Sequence, residues 1–95
     1  MNYQDVRIWS KIDGVLIRIL EIEDFLIDCC FKRIRLIKIT TFDHELLEGC
    51  FETCILGIDE CEESKLDRKL SIIELNGKRS AVFFADIKKI EIIRN

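Results

Sequence analysis

Proline is missing from this 95-residue chain, and glycine occurs only four times. Proline-rich and glycine-rich low-complexity classes are thereby excluded, and with hydrophobic residues at 48% the composition is that of a chain that folds. A basic excess is also lacking: fifteen Lys and Arg stand against eighteen Asp and Glu, a formal net charge of −3. Nucleic-acid-binding domains ordinarily carry a positive balance, so any phosphate contact has to come from a local patch. Long apolar runs are absent too. The candidates are broken by Arg18, Glu21 and Asp28, which excludes a spanning helix of roughly 20 apolar residues, and no membrane association is expected. The opening "MNYQDVRIWSKIDG" has no basic segment leading into an apolar run, so a secretory signal is not expected and a cytoplasmic location is.

What is present points to one domain, 1–95, with a single core. Its C-terminal third is the clearest part. "LSIIEL" and "SAVFFA" are β-rich runs flanking Asn76-Gly77, the dipeptide that best tolerates the positive φ angles of a tight hairpin, so strands are expected at 70–75 and 79–84. A one-turn connection at Asp86 to Lys89 then leads into a last strand at Ile90 to Ile93. Upstream, "FKRIRLIKITTF" alternates imperfectly and is rich in β-branched residues, which predicts a strand over 33–41.

Two segments carry competing periods. In residues 1–30, Val15, Ile19, Ile22 and Leu26 form a helical stripe, while Asp13-Gly14 is also a hairpin signal; a helix is the expected element. In "FDHELLEGCFETCILGID", Leu46, Leu47, Cys50, Phe51, Cys54 and Ile55 fit one helix face, whereas Leu47, Gly49, Phe51, Thr53 and Ile55 alternate like a strand. Within a helix Gly49 costs roughly 1 kcal/mol relative to alanine. Within a bent strand it permits close approach of backbone. A strand is the expectation, with an α+β fold carrying a second helix at 42–56 as the alternative.

The stretches "ITTFDHELLEGCFETCILGID" and "NGKRSAVFFADIKKIEII" together resemble the Sm-like family of small, strongly bent antiparallel barrels preceded by a helix. Asp43, Leu47, Gly49 and Phe51 fall at the places of that family's first motif, and "FFADIKKIEII" resembles its last two strands. Related SH3-like barrels share nearly the same pattern. The resemblance implies a mainly β fold, with an N-terminal helical element over 1–30 and a barrel over 31–95, and self-association into a homo-oligomer through exposed strand edges. His44 stands where the family has a turn glycine, and the family's RNA-contacting aspartate and asparagine and its Arg-Gly pair are missing. Fold therefore carries over more fully than the RNA site.

Residues able to carry chemistry are sparse. Five cysteines (Cys29, Cys30, Cys50, Cys54, Cys61) lack zinc-knuckle spacing and are expected as free, mostly buried thiols. The single histidine, His44, is expected in a turn. No catalytic group, cofactor or metal is expected, and the function is expected to be binding rather than catalysis. For nucleic acid, the candidate contacts are Lys32, Arg33, Arg35 and Lys38, the densest basic run, with a second group at Lys78, Arg79, Lys88, Lys89 and Arg94; Phe42, Phe83 and Phe84 are candidate stacking platforms. For a protein partner, an adaptor or inhibitor role would use Trp9 as anchor and the acidic Asp59, Glu60, Glu62 and Glu63 for steering. Sequestration of a small ligand between subunits is a third possibility.

Overall fold

A computed structural model describes residues 6–52 and 66–93. Within them, one helix, α1 (Val15–Phe31), accompanies six strands: β1 (Val6–Ile8), β2 (Leu36–Thr41), β3 (Leu46–Phe51), β4 (Lys69–Glu74), β5 (Arg79–Phe83) and β6 (Ile87–Ile92). All neighbours pair antiparallel in a single sheet ordered β1-β6-β2-β3-β4-β5. The mainly β fold with an N-terminal helix is therefore as expected. Among the described residues this pairing does not close into a barrel, and it leaves β1 and β5 as its two edges.

Asp13-Gly14 opens the helix instead of a hairpin. Ser10 caps a short 3-10 turn at Lys11–Asp13, its Oγ accepting from Ile12 N at 3.2 Å while Asp13 accepts from Ser10 N. Gly14, at φ +82°, then redirects the chain into α1. Ile19, Ile22, Leu26 and Cys29 form the inner face of α1 and join Ile37, Ile39, Phe51, Leu70, Ile72, Phe84, Ile87 and Ile90 in one core. Two charged residues are buried with them. Arg18 donates from Nη2 to the Ala85 carbonyl at 3.0 Å and lies over the Phe42 ring, and Glu23 pairs with Arg68 at 3.6 Å. Both contacts tie the helix to the sheet.

β3 settles the period of the disputed stretch. Gly49 and Phe51 are buried and Leu47 is half-buried, while Leu46, Glu48 and Cys50 are exposed, an alternation of period two. The helical alternative is thus overturned over 46–51; residues 53–56 lie outside the described ones. Gly49 is required because a Cβ there would meet the Ile73 carbonyl oxygen of β4 at 2.1 Å. No side chain fits between those two backbones.

Two hairpin turns share one design. His44 N donates to Thr41 O at 3.0 Å and Thr41 N to Glu45 O at 3.0 Å; Gly77 N donates to Glu74 O and Glu74 N to Lys78 O, both at 2.8 Å. Each is a three-residue loop closed by a left-handed residue, His44 at φ +67° and Gly77 at φ +89°. Asn76 does not share the positive φ that the Asn-Gly pair suggested; its side chain instead accepts from Lys78 N at 2.9 Å.

The other boundaries shift modestly. β2 begins at Leu36 rather than 33, because α1 runs to Phe31 and needs a turn to end. The last connection is a 3-10 turn at Phe84–Asp86, and β6 starts at Ile87. Phe84 N donates to Arg68 O and its ring is fully buried, so the chain turns one residue after β5 to place it. β1, which the periodicity did not reveal, lies along the outer edge of β6 with Arg7 opposite Ile90.

Candidate functional site

The basic run does not converge. Lys32 is held by Asp28 at 2.9 Å, four residues earlier on α1. Lys38 lies further along β2, opposite Glu48 of β3 and Glu91 of β6, beside a shallow hollow lined by Leu46, Glu48, Glu74 and Leu75. Arg33 and Arg35 are the two that meet. They line one open cleft of about 440 Å3 with Ile34, Leu36, Cys50, Ile92 and Ile93. Of the second basic group, Arg79 pairs with Glu52 at 3.0 Å and Lys89 with Glu91 at 3.2 Å; Arg94 lies outside the described residues.

The cleft follows from the way the helix ends. Ile34 N donates to Cys29 O at 2.8 Å and Arg33 N to Cys30 O at 3.1 Å, the paired bonds of a Schellman stop, with Arg33 left-handed at φ +60°. Glycine is the residue that position favours. The reversal carries Arg33 and Arg35 to the start of β2, where Cys50 of β3 and the end of β6 complete the walls.

The expected stacking platforms are largely occupied. Phe84 is buried in the core, Phe42 lies beneath Lys11 and Arg18, and Phe83 beneath Lys69. Trp9 is corrected as well: expected as a partner-facing anchor, it is only 3% exposed. Its indole N–H donates to Glu21 at 3.0 Å and its ring meets Phe25 edge-on, because β1 alongside β6 brings this segment against α1. Asp59, Glu60, Glu62 and Glu63 lie outside the described residues.

Helix α1 presents a second apolar stripe on its outer side. Ile17, Leu20, Ile27 and Phe31 are 55, 40, 39 and 83% exposed, with Asp24 between them. Their spacing of three, seven and four residues keeps them on one face. That stripe was legible as spacing, but the inner stripe beside it absorbed the signal. Cys50 was missed as a cleft residue for a related reason: only after Gly49 and Phe51 are placed inward does the alternation turn Cys50 outward.

The thiols differ in environment. Cys29 is buried, and burial first, then the nearby Asp28 and Cys30, pushes its pKa from 9.0 up to about 11, with Lys32 opposing. Cys30 is half-buried and Cys50 exposed, so only part of the expected buried set is in the core. Among the described residues no group of three or more His, Cys, Asp or Glu side chains is placed to hold a metal ion, and no helix is long and apolar enough to cross a membrane. Compared with protein-family models, curated proteins and solved structures, the chain matches none.

Proposed function

We propose that this chain is a non-enzymatic, self-associating binding module of the Sm-like or SH3-like kind. What supports the reading is the strand order β6-β2-β3-β4-β5, antiparallel throughout, with a helix before it and a 3-10 turn before the last strand. The sheet stays open at β5, whose outer side has no pairing partner among the described residues. An open edge is a template for another strand. Pairing β5 with β1 of a neighbouring copy would continue the antiparallel alternation, and repetition would build a ring or a filament according to the rotation at each step. Solution mass as a function of concentration tests this.

The target is better matched by a protein than by nucleic acid. The basic residues are divided between separate places, and of the expected stacking platforms Phe84 is buried while Phe42 and Phe83 lie beneath cations, whereas α1 carries an exposed apolar stripe, ending at Phe31, besides its buried face. An exposed apolar stripe of this kind marks an interaction surface. In this reading the outer stripe docks a protein surface carrying a basic group opposite Asp24, consistent with the acidic balance of the chain. Capture experiments with nuclease-treated lysate of the source cells test it. A retained protein lost on Phe31→Glu supports the reading; capture abolished by nuclease contradicts it and restores the nucleic-acid alternative, for which affinity should fall steeply with salt.

A further inference from the structure

We propose that the cleft between the end of α1, the start of β2 and the end of β6 binds a small organic anion, a carboxylate or phosphate head with a short aliphatic body, between Arg33 and Arg35. This goes beyond the reading as a self-associating module and stands whether or not the chain self-associates.

The first support is the state of the arginines. Arg7 pairs with Glu21, Arg18 with the Ala85 carbonyl, Arg68 with Glu23 and Arg79 with Glu52. Among the described arginines, only the side chains of Arg33 and Arg35 have no ion pair, hydrogen bond or ring contact with any described residue. Both line the same cleft. The planar fork of a guanidinium matches the oxygens of carboxylate and phosphate, and two forks at one hollow raise the local affinity for an anion.

The second support is the backbone. Arg33 takes the left-handed turn position at the helix end, where a side chain is a cost that glycine would avoid. A cation near a helix C-terminus is favoured by the macrodipole, but that could be had from the adjacent Lys32 without strain at Arg33. Strained positions of this kind concentrate at ligand sites.

The third is the lining. Ile34, Leu36, Ile92 and Ile93 give the cleft an aliphatic floor, and its volume of about 440 Å3 lies in the range of small-molecule sites. Among the described residues no aromatic ring lines it, so they give it no surface on which a nucleobase would stack. The occupant therefore has an aliphatic body.

Amide-detected NMR titrations of the full chain with hexanoate, hexyl phosphate, inorganic phosphate and hexanol test the proposal. The expected result is saturable binding of hexanoate or hexyl phosphate below about 1 mM, with shifts centred on residues 33–36, 50 and 92–93. Which of the two wins identifies the head group. Arg35→Gln should weaken the binding by about tenfold or more, the loss of one charge-assisted contact. Arg33→Gly is the sharper variant, because it should melt at a higher temperature than the wild type while binding the anion at least about tenfold more weakly. The proposal is overturned if neither amphiphilic anion saturates, if hexanol or inorganic phosphate binds as tightly, or if Arg33→Gly retains wild-type affinity.

Discussion

The α-carbon of Gly49 on β3 faces the carbonyl of Ile73 on β4 at a separation that leaves no room for a methyl group, a Cβ falling 2.1 Å from the oxygen. The obstacle is backbone on a paired strand, with Gly49 opposite Glu74 in the register, so it cannot swing aside as a flexible side chain would. Gly49→Ala must part the two strands. The expected loss is about 3 kcal/mol, the upper end for overpacking. Urea unfolding measures it, and a loss below about 0.5 kcal/mol, the scale of an ordinary surface change, would show that the approach is not as close as described.

The hairpin turns at His44 and Gly77 offer a matched pair. His44 occupies a left-handed position at an energetic cost of roughly 1–2 kcal/mol, partly offset in any glycine variant by the larger entropy of the unfolded chain. His44→Gly is therefore expected to stabilise by about 0.5–1 kcal/mol, whereas Gly77→Ala should destabilise by about 1 kcal/mol or more. Thermal melts of the two variants should move in opposite directions. Movement in the same direction would contradict the shared turn design.

Cys29 makes stability depend on pH in the alkaline range. Its folded-state pKa of about 11 lies above the ordinary 9.0, so the fold favours the protonated thiol. The resulting stabilisation is complete below pH 9 and is lost as pH rises through 11. Denaturant midpoints should therefore fall over that interval more steeply for the wild type than for Cys29→Ala, which starts lower because it leaves a cavity in the core. Parallel curves would remove Cys29 as the cause.

Much of the fold was legible because local signals agreed. Asn76-Gly77 and its β-branched flanks located β4 and β5 within a residue, and the 3.6-residue stripe of Ile19, Ile22 and Leu26 found α1 against the rival signal of Asp13-Gly14. Gly49 decided the period of β3 correctly, for a reason that lies in the partner strand rather than in the stretch itself. β1 escaped because three exposed residues carry no periodicity; only the edge of β6, distant in sequence, makes Val6–Ile8 a strand. The same long-range pairing buried Trp9. At the cleft, Arg33 and Arg35 were picked out by charge, but their neighbours Cys50, Ile92 and Ile93 come from strands that only the folded register brings alongside.

Self-association through the open β5 edge is tested most directly by sedimentation equilibrium over a wide concentration range, set against the chain mass of 11.2 kDa. The expected result is a mass at least twice that value, growing with concentration or fixed at one closed multiple. A species that stays at 11.2 kDa at every concentration would contradict it.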